Sequence, residues 1–496
     1  MTNPDRLTAL DASFLHIENQ GDAHMHVAAV MTFDGEAPPY DDVVDMLVAR
    51  LDLVPRYRQR LAHVPLGQGR PRWVDDPHFN PRYHIRHTAL PRPGDDDQLK
   101  RLAGRVFAQE LDRSKPLWEI WIVEGLDAGT GGEADGRRFA VLSKTHHALV
   151  DGVSGVDVTT VLFDTSPDPA PAPVPAHAWT PRPVPSDAQL LGEAMLERAT
   201  VPGEIVRGIR ALFRAPRRVA DSARDSLVGL GAMAWAGLHP APSTPYNVRI
   251  GPHRRYEWVD ADLGRFKAIK DALGGTVNDV VLTVVNGAVG RHLREHGHDT
   301  DGLVLKAMVP VSVRADAERG ALGNKVAAMW APLPVGIADP VEAFHEVHAA
   351  MADLKGSGQA VGAQVLTELT GFAPPTIMNQ AARLQSRQRF FNLVVTNIPG
   401  PQFPLYMMGR RLCGLYPVVP LAANQALGIA IMSYDGRLGF GLMADRDGLA
   451  DLDVLAGFLR DSIDELAAVA AIDGGGGGNG APRRRRTTKP AASART

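Results

Sequence analysis

The sequence predicts a layered α/β fold in two domains. Short runs rich in β-branched and aromatic residues alternate with helical patterns, a proline-dense stretch breaks the chain near its middle, and 496 residues exceed what one hydrophobic core usually organises.

The elements follow in order. Residues 27–33 (VAAVMTF) and 138–146 (RFAVLSKTH) read as strands. Between them, Tyr40–Leu51 and Asp97–Leu111 space their apolar residues as helices do. Eight prolines then fall between Pro167 and Pro185, where the missing backbone donor and fixed φ favour an extended connector. From Ser186 to about Leu238 the pattern turns helical, with Leu190, Leu191, Ala194 and Met195 on one face. Arg207, Arg210, Arg214, Arg217 and Arg218 share the next stretch with Ile205, Ile209, Leu212 and Phe213. That separation fits either a solvated helix packed on the body or a helix lying on a membrane.

The pattern resumes at Tyr246. Thr276–Glu295 reads as a long buried helix with Thr276 as its N-cap. Strands are expected at Val304–Val309, Val326–Leu333, Phe391–Thr396, Ala426–Tyr434 and Leu438–Met443, with helices at Pro340–Lys355 and Leu452–Ala470. The organisation is thus residues 1–166, a connector at 167–245, a second domain at 246–473, and a tail at 474–496. That tail has no large apolar residue and is expected to be disordered.

Composition narrows the function. The tail holds six basic residues and no acid, so the net charge of −3 leaves −9 on the body, and an acidic body argues against a nucleic-acid partner. The single cysteine, Cys413, excludes an internal disulfide or thiolate metal cluster and fits a reducing cytosol. The N-terminus lacks a basic region followed by an apolar one, so no signal peptide is expected. With no apolar run of about 18 residues, contact with a membrane would be peripheral.

The chemistry concentrates in His146-His147-Ala148-Leu149-Val150-Asp151-Gly152, between an expected strand and helix. Strand side chains alternate, so one His should face substrates while the other packs behind it. An imidazole suits general-base work near neutral pH. Gly152 frees the backbone to turn and lets a substrate approach closely, while Asp151 fits either an orienting role toward the histidine or a structural ion pair. Other chemistries lack their motifs: there is no G-x-S-x-G elbow, no P-loop and no G-x-G-x-x-G after a strand. His345-Glu346-Val347-His348 is one residue short of the zincin pattern, and His292, His296 and His298 at a charged helix end read as solvated; no metal is expected. Base catalysis without a protein nucleophile favours direct attack of one substrate on the other in a ternary complex.

With HHALVDG, several further segments resemble the bacterial bifunctional wax ester synthase/diacylglycerol acyltransferase family. They are Leu10-Asp11-Ala12-Ser13-Phe14-Leu15, Pro116-Leu117-Trp118, Asn278-Asp279-Val280-Val281-Leu282, Pro310-Val311-Ser312-Val313-Arg314 and Asn397-Ile398-Pro399-Gly400-Pro401. Together they span about residues 5–470; the proline connector and arginine tail lie outside the pattern.

The resemblance implies two chloramphenicol-acetyltransferase-like domains with substrates meeting in a tunnel between them. It implies that His147 takes the proton of an acceptor hydroxyl, which attacks a long-chain acyl-CoA thioester; His146 supports it, and acyl-CoA is a co-substrate, no cofactor being implied. Asn278 is implied near the site, Arg314 as the ion-pair partner of Asp151, and Pro116, Leu117, Trp118, Asn397, Pro399 and Gly400 along the substrate path. Read alone, Pro116–Trp118 also fits core packing, Asn278 a helix-start residue, and Asn397–Pro401 a turn after a strand. The implied acceptor is diacylglycerol or a long-chain alcohol, giving triacylglycerol or wax ester at the inner face of the cell membrane or at lipid droplets. Two other readings are a condensing acyltransferase fed by a carrier protein and a non-catalytic lipid scaffold whose basic segments attract anionic lipid.

Overall fold

In a computed structural model of the chain, the structure describes residues 5–18, 21–127, 137–150, 163–168, 179–196, 240–312, 326–356 and 390–470. The arginine-rich stretch after residue 196, the basic tail, Asp151, Gly152 and Arg314 lie outside them.

Two six-stranded mixed sheets organise the molecule. The first uses β1 (His26–Asp34), β4 (Ile85–Ala89), β5 (Trp118–Asp127), β6 (Arg137–His146), β11 (Tyr406–Met407) and β12 (Arg410–Val418), in the order β11-β12-β1-β6-β5-β4. The second uses β7 (Arg254–Asp262), β8 (Leu305–Ser312), β9 (Val326–Leu333), β10 (Leu393–Pro399), β13 (Leu427–Tyr434) and β14 (Arg437–Asp445), in the order β7-β14-β13-β10-β8-β9. A small hairpin-like pair, β2 (Gln59–Ala62) and β3 (Arg72–Asp75), stands apart. Helices α1 (Ala9–Glu18), α2 (Tyr40–Arg50), α3 (Pro81–His84), α4 (Asp96–Phe107) and α5 (His147–Val150) belong to the first half. Helices α6 (Leu263–Leu273), α7 (Val277–Glu295), α8 (Pro340–Gly356) and α9 (Leu452–Val469) belong to the second.

Side-chain alternation gives the first sheet two apolar faces. Met31, Phe33, Phe139, Val141, Ile120 and Ile122 point to the face covered by Val43, Val44 and Leu47 of α2. Val30, Ala140, Leu142 and Val123 point the other way, onto Leu99, Leu102 and Val106 of α4 and onto Tyr256, Trp258 and Met443 of the second sheet. The second domain buries its own core around α7, where Val281, Leu282, Val284 and Val285 are fully enclosed. Thr276 caps α7 through a reciprocal bond with Asp279, as its sequence position suggested.

The boundary near residue 246 does not cut the sheets cleanly. Strands β11 and β12 leave the second half and pair with the first sheet, β12 running antiparallel to β1. This exchange locks the halves together, and β12 crosses β14 backbone to backbone. A Cβ on Gly441 would overlap the Pro417 carbonyl oxygen, and one on Gly439 would overlap that of Leu415. Tyr256 Oη also donates to the Tyr416 carbonyl at 2.9 Å across the same seam. Gly441→Ala is expected to cost about 1–3 kcal/mol through overpacking, read as a lower melting temperature. An unchanged melting curve would contradict this account of the crossing.

In the connector, the helical stretch 187–196 buries Leu190 and Ala194, Leu190 packing with Ala62 and Val74. Met195, expected on that face, is exposed because only the i, i+4 pair reaches the body. No single described helix is long and apolar enough to cross a membrane.

Candidate active site

Strand β6 ends at His146, and the chain turns at once into α5. The two histidines are therefore separated by the end of the strand rather than by its pleat. His146 lies opposite His26 of β1, with its amide bonded to the Leu117 carbonyl at 2.9 Å. His147 sends its amide to the Met25 carbonyl at 2.8 Å.

Their surroundings differ sharply. His146 is 1% exposed. Its Nδ1 accepts the Ala148 amide at 3.1 Å, which leaves the ring proton on Nε2, facing a Glu18 carboxylate oxygen at 3.3 Å. His147 is only half-buried, and its ring lies against Phe14 with centroids 4.1 Å apart. Phe14 and Glu18 are i, i+4 neighbours on α1, so one helix face holds both rings. Thr8 and Asp11 start that helix by exchanging side-chain bonds.

Glu18 is the residue that the sequence reading missed. Buried itself, it accepts the Met25 amide at 2.9 Å and the Arg113 guanidinium at 2.6 Å, and lies 3.3 Å from Nε2 of both His26 and His146. Burial opposes its ionisation, but the hydrogen bonds from His146 and His26 outweigh that and hold the carboxyl well below its usual range. Burial likewise pushes His26 down to about 3, so it is neutral near pH 7 and faces Glu18 as an uncharged imidazole. Two residues before His146, the enclosed Lys144 ammonium donates to the Val106 and Gln109 carbonyls at 3.1 and 3.0 Å, closing the end of α4.

These groups make the site sensitive to acid. Between pH 6.5 and about 3 the unfolded chain binds a proton at His26 that the folded chain does not, so stability falls as pH drops through that window. Glu18 adds in the same direction: its contribution is complete above about pH 4.3 and is lost as pH falls below the ordinary carboxylate range. The melting temperature is expected to fall on acidification, and His26→Asn to flatten the upper part of that fall. Equal slopes in the two proteins would contradict the role given to His26.

The remaining candidates lie as follows. Pro116, Leu117 and Trp118 are buried where β5 begins; the Trp118 indole N–H donates to the Tyr57 carbonyl at 2.8 Å, and its ring stacks on His84 at 4.6 Å. The visible work of this segment is to hold β5 against the end of β6. Asn278 is half-buried in the first turn of α7, a helix that packs mainly on α9, α8 and α6. Its neighbour Asp279 is the enclosed one, caps the helix and meets His348 Nδ1 at 2.8 Å. Asn397 and Pro399 continue β10, parallel to β13, instead of forming a turn; the ladder reaches Ser433, whose hydroxyl accepts the Gly400 amide at 3.1 Å. The α5 residues Ala148 and Leu149 share a core with Leu405, Met407 and Tyr434, so His147 stands where the two halves join. A narrow cleft between the sheets is lined by His24, His26, Phe107, Arg254 and Met443; His147 is not among its lining residues.

The two interlocked mixed sheets have the chloramphenicol-acetyltransferase-like fold, and the chain is an acyltransferase. The family profiles are more specific. The wax ester synthase/diacylglycerol acyltransferase catalytic domain matches residues 7–281 and the C-terminal domain of the same family matches 322–467, and the chain belongs to that family.

A Mycobacterium tuberculosis protein named as the diacylglycerol O-acyltransferase tgs1 is 33% identical over 470 residues, which cover 94% of this chain and 96% of that one. The wax ester synthase/diacylglycerol acyltransferase of Marinobacter aquaeolei superposes with a TM-score of 0.64 at 26% identity, covering 94% of this chain and all of that one. The starter condensation domain of rhizomide synthetase superposes at 0.53 with 15% identity, covering 94% of each chain, and shares the fold alone. Neither the carrier-protein reading nor the scaffold reading is favoured by these matches.

Proposed function

We propose that this acyltransferase esterifies diacylglycerol with a long-chain acyl group from CoA, forming triacylglycerol, with His147 as general base. The observation that carries the assignment is the contrast between the two histidines. His146 is enclosed with its ring nitrogens directed at Ala148 and Glu18, whereas His147 keeps a partly exposed ring. The acceptor choice is supported by the names of the curated relatives.

In this reading His147 removes the hydroxyl proton as the acceptor oxygen attacks the thioester carbonyl carbon. The tetrahedral intermediate then expels the thiolate of CoA, the C–S bond breaks, and the imidazolium returns its proton to that sulfur. Atoms and charge balance without a covalent enzyme intermediate. The Asn278 amide is assigned to the developing oxyanion and the ends of β10, at Asn397, Pro399 and Gly400, to the acceptor path. Pro116, Leu117 and Trp118 are assigned to the border of that path, and Asp151 and Arg314 to a structural ion pair. The acceptors dissolve in lipid, so the protein is assigned to the inner membrane surface or to lipid droplets as a peripheral protein.

Purified protein given palmitoyl-CoA with equimolar dioleoylglycerol and hexadecanol tests the assignment by thin-layer chromatography of the products. Triacylglycerol as the main ester is expected. Wax ester as the main product would overturn the acceptor choice, and no ester from folded protein would overturn the reaction.

A further inference from the structure

Far from His147, the end of α7 carries a second histidine pair. His292 and His296 sit i, i+4 on one helix face, and both turn toward Asp451, the residue that precedes α9. His292 Nε2 lies 3.2 Å and His296 Nε2 2.9 Å from the same oxygen, Asp451 Oδ2, and the two rings stack with centroids 4.3 Å apart. Contrary to the solvated reading of this helix end, His292 is 2% exposed; His298 alone of the three stays outside the cluster.

We propose that His292, His296 and Asp451 form a binding site for a divalent transition-metal ion of the zinc type, with water completing the coordination, and that the ion staples α7 to α9. Among the described residues, these three are the group of His, Cys, Asp and Glu side chains whose ligand atoms converge, all within 4.8 Å of one another.

Three independent features point to a ligand. First, the outward nitrogen of each ring already has the partner that a metal-bound imidazole needs. His296 Nδ1 meets the His292 carbonyl at 2.8 Å and His292 Nδ1 meets the Tyr246 hydroxyl at 2.9 Å. A carbonyl only accepts, so the His296 proton is on Nδ1. In the neutral ring this turns the Nε2 lone pair straight at a carboxylate oxygen, an arrangement that either a proton on Nε2 or a shared metal ion relieves.

Second, Asp451 occupies the N-cap of α9 yet makes no side-chain cap bond; its carboxylate is given to the histidines instead. Third, the spacing suits a shared ion. Ligands about 2.0–2.1 Å from a tetrahedral zinc lie about 3.3 Å apart; the His292–Asp451 distance of 3.2 Å matches, and the His296–Asp451 distance of 2.9 Å would open by about 0.4 Å. His296 and Asp451 are partly exposed, so an ion has a path in.

The site ties the last turn of α7 to the first turn of α9 and, through Tyr246, to the entry of the second domain. It is a structural site, with no role in ester formation. The test uses untagged full-length protein stripped with chelator and dialysed against zinc chloride. Elemental analysis is expected to find one more zinc per chain in the wild type than in His296→Ala or Asp451→Asn. Asp451→Asn keeps a side chain able to cap α9, so it remains informative if the histidine variant folds poorly. Zinc at about a hundred times its dissociation constant is expected to raise the wild-type melting temperature by about 5 °C and to leave both variants unmoved. Equal zinc in all three proteins, or an equal thermal shift, would overturn the proposal.

Discussion

His147→Ala is expected to lower kcat/KM for ester formation by about 100- to 10,000-fold while leaving the melting temperature close to wild type. That loss corresponds to about 3–5 kcal/mol of transition-state stabilisation at 1.36 kcal/mol per tenfold. The structure gives a reason for the intact fold: the ring is half-buried, its main packing partner is Phe14, and the backbone bond to Met25 does not depend on the side chain. Because a base acts on the reaction and not on thioester binding, KM for acyl-CoA is expected to change little. A folded His147→Ala protein with near-normal turnover would remove His147 from the mechanism.

Glu18→Ala is expected to have the largest effect on stability, about 3–5 kcal/mol, read as a melting temperature roughly 10 °C lower. The substitution removes one carboxylate but strands several donors: the Arg113 guanidinium, the Met25 amide, and the imidazoles of His26 and His146. Activity measured well below the melting transition is expected to fall too, because His146 loses the group that fixes its ring beside the base. Glu18→Gln, which keeps an acceptor oxygen for the Met25 amide, is expected to fall between the two. A Glu18→Ala protein as stable as wild type would show that the buried cluster does not bind the elements together. Unchanged turnover would separate Glu18 from the site.

Much of the fold was legible because local patterns and tertiary environment agree. Strand β9 spans the residues its apolar run marks, and Thr276 caps α7 as its position before an apolar helix predicts. What local pattern does not encode is pairing at long range. Strand β12 lies in the second half of the sequence and closes the first sheet against β1, nearly four hundred residues away. Of the turn expected at Asn397–Pro401, the first three residues are strand for a related reason: the β13 ladder extends β10 through Pro399.

The candidate site divides the same way. His146 and His147 stand out as a motif, whereas Glu18 is an ordinary acidic residue at the end of an unremarked helix until folding sets it against His146. Its one sequence signal was its place on the α1 face that also carries Phe14. In the NDVVL segment the motif points to Asn278, but the enclosed, bonded side chain is that of Asp279. Spacing alone predicts a solvated His292, because it does not reveal Tyr246 and Asp451 converging on it from outside the helix.

The central claim is direct transfer from acyl-CoA to the acceptor hydroxyl, with both substrates bound at once. Initial rates of CoA release, measured while palmitoyl-CoA is varied at several fixed concentrations of dioleoylglycerol, test it most directly. Intersecting reciprocal plots, with no CoA released in the absence of acceptor, are the predicted result. Parallel plots, with a burst of CoA before acceptor is added, would reveal an acyl-enzyme and contradict it.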